Sequence, residues 1–286
     1  MVGMLDEGHV NLPDGRSVAW CEWGDADGSP IVLLHGTPGS RLFLADPTTS
    51  SPPGLRVLTL DRPGYGRSSP PALPSVSGVA EIVGRLADDR GFRRFPVVGF
   101  SGGVPFALAC GAVLNDRVSR IAAVSGQGPI DELTDAYAAL SSAEREMVSE
   151  IRRDPAAATE LLWEHGQWYP ETPLRMLDRP PEAGDESALN DPVIRANLVA
   201  SNLEGARQGQ AGLIADWVSE ALPWGFSLAD ISVHVDVWVG GLDPGRATLD
   251  APELERRIAS CTVHLDADAG HWLITRWADI VGRALL

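Results

Sequence analysis

Residues 95–114 read Phe95-Pro96-Val97-Val98-Gly99-Phe100-Ser101-Gly102-Gly103-Val104-Pro105-Phe106-Ala107-Leu108-Ala109-Cys110-Gly111-Ala112-Val113-Leu114. The apolar run Phe95–Val98 suits a strand buried on both faces, and the stretch from Val104 to Leu114 suits a helix. Between them stand Gly99-Phe100-Ser101-Gly102-Gly103, a turn too short to be a loop. A strand that turns directly into a helix is half of a strand-helix-strand crossover, so this stretch decides the fold class.

Other runs repeat the pattern. Ile31–Leu34, Arg56–Leu60, Arg120–Val124, Val233–Val239 and Cys261–Leu265 are short and apolar, and helical patterns such as Val76–Arg90 and Gly102–Leu114 lie between several of them. Alternation of this kind predicts a mostly parallel central sheet with right-handed crossovers and helices on both faces. The chain opens differently. His9–Leu12 and Ser17–Trp23 flank the turn Pro13-Asp14-Gly15, which predicts an antiparallel N-terminal hairpin.

From about Gly126 to Ala229 the buried-strand runs stop. Helical segments take over at Ser141–Arg153, Ala156–Trp163, Pro192–Glu204 and Gly212–Ala221, and Asp178–Asp191 reads as a loop rich in Pro, Gly and acids. The expected architecture is therefore an α/β core of residues 1–125 and 230–286 with an inserted α-helical cap of residues 126–229.

Composition narrows the function. The chain of 286 residues is 44% hydrophobic and 22% charged, enough apolar material for a sizeable core. A formal net charge of −16 repels phosphate backbones and anionic lipid, which argues against nucleic-acid and membrane partners but names no substrate. Cys21, Cys110 and Cys261 are scattered and odd in number, as in a reducing compartment. The opening MVGMLDEGHV lacks the apolar stretch of a signal peptide, and no run approaches the roughly 18 apolar residues of a membrane span, so a cytoplasmic location is expected. The sequence assigns no oligomeric state.

Ser101 is the candidate nucleophile. A strand turning sharply into a helix strains the backbone at the serine, and side chains two residues to either side would collide, which accounts for Gly99 and Gly103. The helix that follows aims unpaired N–H groups at the turn, so the Gly102 amide is the first expected oxyanion donor. The second should come from His35-Gly36-Thr37-Pro38-Gly39-Ser40, after the Ile31–Leu34 run. Thr37 is chosen because Pro38 has no amide hydrogen.

A serine hydroxyl needs a base. Of six histidines, His271 follows the Cys261–Leu265 run and the loop Asp266–Gly270, and so is placed at the end of a strand. His9, His234 and His264 lie within strand-like runs, His165 lies in the cap, and His35 reads as a brace for its loop beside the binding site. The imidazole in turn needs a carboxylate partner. Asp243, after Val233–Val239 and Gly240-Gly241-Leu242, is preferred to Asp266 and Asp268, which are too close in sequence to His271 to orient its ring. His35 and Gly36 are candidate substrate neighbours, and Trp163, Trp168 and Trp217 of the cap, with Tyr169 and Trp224 nearby, are candidates to line an apolar pocket. No phosphate loop or metal-ligand spacing occurs, so neither metal nor cofactor is implied.

HGTPGS at 35–40, DRPGYGRS at 61–68, GFSGG at 99–103, GGLD at 240–243 and GH at 270–271 together resemble the α/β-hydrolase family with an inserted cap, over nearly the whole chain. The resemblance makes Asp61–Ser68 a structural turn, with Asp61 not catalytic. It implies a Ser-His-Asp triad and an acyl-enzyme, and so an esterase or lactonase acting on small to medium apolar molecules. Haloalkane dehalogenases and epoxide hydrolases share the fold but carry aspartate at the elbow. Some relatives hold the acid after an earlier strand, where Val124-Ser125-Gly126-Gln127 here has none. C–C bond hydrolases, cofactor-free haloperoxidases and small-molecule receptors stay open as alternatives. So do prolyl aminopeptidases, whose tryptophan after the nucleophile is Gly102 in this chain.

Overall fold

The structure, a computed structural model, describes residues 3–45, 54–165, 177 and 179–284. Eight strands form one sheet: β1 (Gly3–Asn11), β2 (Ser17–Gly24), β3 (Ser29–Leu34), β4 (Leu55–Leu60), β5 (Phe95–Phe100), β6 (Val118–Val124), β7 (His234–Gly240) and β8 (Cys261–Asp266). Their order is β1-β2-β4-β3-β5-β6-β7-β8. β1 pairs antiparallel with β2 and β2 with β4, and every later pairing is parallel.

Alternation along the strands sends side chains to two separate cores. Val32 and Leu34 of β3, Val97 of β5 and Val235, Val237 and Val239 of β7 meet α1 (Val76–Asp89), α2 (Val104–Val113) and α7 (Ala247–Arg257) on one face. Ile31, Leu33, Val98, Phe100 and Val124 meet α8 (Trp277–Ala284) on the other. A sheet covered on both sides explains why β3 to β6 read as continuous apolar runs and not as alternating ones.

Between β6 and β7 the described residues hold helices and no strand: α3 (Ser142–Arg153), α4 (Pro155–His165), α5 (Pro192–Gly205) and α6 (Ala211–Ala221), with short turns at Ala136–Ala139 and Glu186–Leu189. α3, α4 and α6 share a small core of Val148, Ile151, Ala158, Ile214, Val218 and Ala221. α5 belongs elsewhere. Its Leu198 is buried in the same cluster as Phe43, Phe100 and Trp277 of the main body. Asn197 and Ser201 tie it to the segment after β3, through Leu44 N–H donating to Asn197 Oδ1 at 2.9 Å and Ser40 N–H donating to Ser201 Oγ at 3.1 Å.

The structure departs from the sequence reading in four places. β1 starts at Gly3, six residues before His9, because an edge strand tolerates the exposed charges Asp6 and Glu7 that mask its pattern. α7 was not expected, because Pro252 lies inside it, its composition is strongly polar, and its buried face at Ala247, Asp250, Ala251 and Leu254 includes an acid. The last helix, expected from the sequence to run from Trp272 to Leu285, opens with a 3-10 turn, Leu273–Arg276, and α8 starts at Trp277. The acid-rich loop before α5 carries the one-turn helix Glu186–Leu189, and its Asp185 is buried. Among the described residues no helix is long and apolar enough to cross a membrane.

Candidate active site

β5 ends at Phe100 and α2 starts at Val104, with a single 3-10 turn, Ser101–Gly103, between them. Ser101 has φ of +51°, a left-handed conformation that costs a side-chain-bearing residue about 1–3 kcal/mol and persists only when its surroundings hold it. The glycines explain how it is held. A Cβ on Gly99 would lie 2.6 Å from the Gly103 carbonyl oxygen and 2.8 Å from Ala107 Cβ, and a Cβ on Gly103 would collide with the Leu34 carbonyl.

The loop after β8 brings His271 to this turn. Its Nε2 lies 3.0 Å from Ser101 Oγ, and its Nδ1 lies 2.8 Å from Asp243 Oδ2. Asp243 follows β7 and is buried, and its other oxygen accepts the Gly245 N–H at 2.8 Å. Burial of the Asp243 carboxyl opposes ionisation. The His271 hydrogen bond and charge and the Gly245 amide outweigh it and hold the carboxyl below its usual range. Asp266 instead accepts from Asp268 within its own turn. Three residues from three sheet-edge loops thus form one hydrogen-bonded chain.

Of the other histidines, His35 is buried against Gly36 O, with Nδ1 at 2.7 Å, and burial followed by the Arg62 charge pushes its pKa well down. A ring so placed is a neutral brace. His264 faces Asp236 at 2.8 Å, and His234 lies 3.5 Å from the same carboxylate, away from Ser101.

Thr37 and Gly102 are in contact. The place where a Gly102 Cβ would sit is 3.2 Å from Thr37 N, and the Thr37 side chain fills it. The Thr37 loop is held from behind by a buried ionic cluster. Arg62 Nη2 donates to Gly36 O at 3.1 Å and to Thr37 Oγ1 at 3.1 Å, and Nη1 donates to His35 O. Asp216 of α6 completes it, accepting from Arg62 Nη2 at 2.6 Å, Thr37 Oγ1 at 2.6 Å and Tyr65 OH at 2.8 Å. Burial and the Asp216 charge push the Tyr65 hydroxyl well above its ordinary pKa, so it stays a donor. In the neighbouring turn Asp61 accepts from the backbone N–H groups of Arg41 and Arg67 and from the Arg41 guanidinium, so its carboxylate is engaged in holding the turn.

A cavity of about 220 Å³ opens over Ser101, His271, Gly102 and Thr37. Trp217 of α6 lines it. So do Ser125, Gln127, Glu220 and Arg246, so the wall is as polar as it is apolar. Burial, reinforced by the Asp216 charge, pushes Glu220 up to about 7 even though Gln127 donates to it at 2.8 Å. His35 and Gly36 stand behind this wall, Trp163 is half exposed away from it, and Trp168 and Tyr169 lie outside the described residues. A larger cavity of about 400 Å³, among Leu12, Pro63, Leu73 and Phe106, opens away from Ser101.

Residues 31–283 match the model of the alpha/beta hydrolase family. The chain belongs to that family. A probable proline iminopeptidase of Streptomyces coelicolor is 30% identical over 227 residues, which are 76% of this chain and 62% of that relative. The chain therefore spans less than two thirds of that relative's length. A hydrolase from Pseudomonas aeruginosa superposes with a TM-score of 0.70 at 19% identity, over 98% of this chain and 97% of its own. An esterase from Thermogutta terrifontis superposes with a TM-score of 0.65 at 20% identity, over 98% and 97%. At such identities the two structures share the fold.

Four groups of this alpha/beta hydrolase escaped the sequence reading: Asp185, Asp216, Glu220 and Arg246. Asp216 did leave a trace, as an acid at a buried position of the otherwise apolar helical run Ala211–Val218. Asp185 left none, because a carboxylate inside a Pro, Gly and acid-rich loop looks like its solvated neighbours.

Proposed function

We propose that this alpha/beta hydrolase is a serine hydrolase that cleaves carboxylic esters or lactones of small to medium molecules through an acyl-enzyme. The observation that carries the proposal is the unbroken chain Ser101 Oγ, His271 Nε2, His271 Nδ1, Asp243 Oδ2, with both contacts at 2.8–3.0 Å.

In the proposed mechanism His271 takes the Ser101 proton as Oγ attacks the substrate carbonyl carbon. Asp243, ionised, keeps Nδ1 protonated and stabilises the imidazolium. The Gly102 and Thr37 N–H groups receive the oxyanion at the start of α2, each worth roughly 10²–10³ in rate by analogy with other serine hydrolases. The intermediate collapses, the alcohol leaves with the proton from His271, and water activated by the same ring hydrolyses the acyl-serine. Residues 126–229 act as a cap on the core of 1–125 and 230–286, with Trp217 supplying the apolar contact to the acyl or alcohol group.

Glu220 favours a second reading, removal of an N-terminal residue from a peptide. A terminal amine is cationic, and a carboxyl pushed up to about 7 in the cavity beside Ser101 gains stability when a cation arrives. The similarity to a probable proline iminopeptidase points the same way. Gly102 stands against it, since a residue larger than glycine has no room beside Thr37.

The test is fluorophosphonate labelling of the native protein and of Ser101→Ala, with turnover of p-nitrophenyl esters, lactones and prolyl p-nitroanilide. Labelling confined to the native protein with ester turnover supports the first reading. Turnover of the anilide alone supports the second. A folded native protein that takes no label refutes both.

A further inference from the structure

The main chain of His271 is held by a residue of the helical insert. Asp185 Oδ2 accepts the His271 N–H at 3.1 Å, and Asp185 Oδ1 accepts the Trp272 N–H at 2.8 Å. The donors lie 86 and 87 residues away along the chain. Neither amide belongs to a strand or a helix, since β8 ends at Asp266 and the 3-10 turn starts at Leu273. The carboxylate is 3% exposed. Around it the two loops touch backbone to backbone. A Cβ on Gly184 would lie 2.5 Å from Gly270 N, and one on Gly270 would lie 2.5 Å from Asp185 Oδ1 and 2.8 Å from the Ala183 carbonyl.

We infer that Asp185 is a positioning residue for His271, fixing the backbone from which the imidazole reaches both Ser101 and Asp243. The inference rests on the proposed role of His271 as the base. The ring is steered at its two nitrogens, but two side-chain hydrogen bonds leave the ring's root free to slide along the loop. The paired, charge-assisted bonds from Asp185 remove that freedom. A shift of about 1 Å in a reacting group costs on the order of 10²-fold in rate, so a clamp on the main chain has kinetic weight. The same contact makes the loop before α5 part of the working site.

Asp185→Asn is the decisive variant, because its amide keeps the volume but offers one acceptor where two donors wait. The expected result is a kcat lower by roughly 10–100-fold with KM within about three-fold, and an altered acid limb of the kcat/KM profile. Asp191→Ala serves as control. Asp191 caps α5 through Val193 N–H and Ile194 N–H, so its loss weakens the same insert without touching His271, and kcat should hold. In the unaltered protein, hydrogen exchange at the His271 and Trp272 amides should be slow. Wild-type kcat in folded Asp185→Asn, an equal kcat loss in Asp191→Ala, or fast exchange of both amides would overturn the inference. Fluorophosphonate labelling of the unaltered protein separates the two failures: without label the serine-hydrolase reading falls, and with label only the clamp is at issue.

Discussion

Arg62 and Asp216, 154 residues apart, meet as a buried pair in which Asp216 Oδ1 accepts from Nε at 3.1 Å and Oδ2 from Nη2 at 2.6 Å. One partner belongs to the turn after β4 and the other to α6, and both reach Thr37. Breaking such a pair leaves one charge buried and uncompensated, which costs about 3–5 kcal/mol. Asp216→Asn and Arg62→Met are each expected to lower the urea midpoint accordingly. The double variant Arg62→Met with Asp216→Leu should regain much of the stability and little of the kcat, because the His35 and Gly36 carbonyls and Thr37 lose their support. Denaturation and turnover on the same three proteins check this.

Ser101→Ala and His271→Ala are expected to lower kcat by roughly 10³–10⁶, and Asp243→Asn by roughly 10⁴, with folding intact. Combined variants should lose no more than the worst single one, because the proposed mechanism makes the three groups act as a unit. Steady-state turnover with circular dichroism as the folding check decides the matter.

Gly102→Ala should be costly although it adds a single methyl group. The new Cβ falls on the Thr37 side chain, so the two residues proposed to hold the oxyanion must separate. A loss of roughly 10²–10³ in kcat with a small change in KM is expected, which a substrate series would show.

Glu220 gives stability a pH dependence of predictable sign. Its carboxyl stands at about 7 in the fold against 4.5 for the free side chain. Below 4.5 both states hold the proton and the group contributes nothing. Between 4.5 and about 7 only the folded state keeps the proton, so stability falls as pH rises, and above 7 the loss is complete. Glu220→Gln should therefore stabilise the protein by about 1–3 kcal/mol at roughly pH 8 and leave it unchanged near pH 4. Urea midpoints at the two pH values test it.

The sheet and the Ser101 elbow were legible because their signals are local: apolar runs of strand length, a turn crowded enough to need glycines, and loops at strand ends. The placement of His271 and Asp243 followed from the same strand grammar. The partners of Asp185 and Asp216 were illegible for the opposite reason, since each carboxylate binds a loop more than 80 residues away and nothing in its neighbourhood records that loop. Trp163 and Trp217 show the limit of composition: two equally apolar residues of the helical insert were expected together at the pocket, and of the two Trp217 lines it. Of the polar wall, Gln127 and Arg246 came from segments with no pattern of their own, and Glu220 lies in the expected helix Gly212–Ala221, where a carboxylate near the helix end looks solvated.

α5 lies inside the insert by chain order, yet its apolar side is sunk in the main body beside Phe43 and Trp277. A boundary drawn where the strands stop is thus not a boundary in energy. A chimera that exchanged residues 126–229 for the insert of a relative would open a hole in the host's core as well as alter its pocket. Point substitution on α6 is therefore expected to alter the pocket at less cost in stability than exchange of the insert as a cassette, and heat should unfold insert and body in one transition.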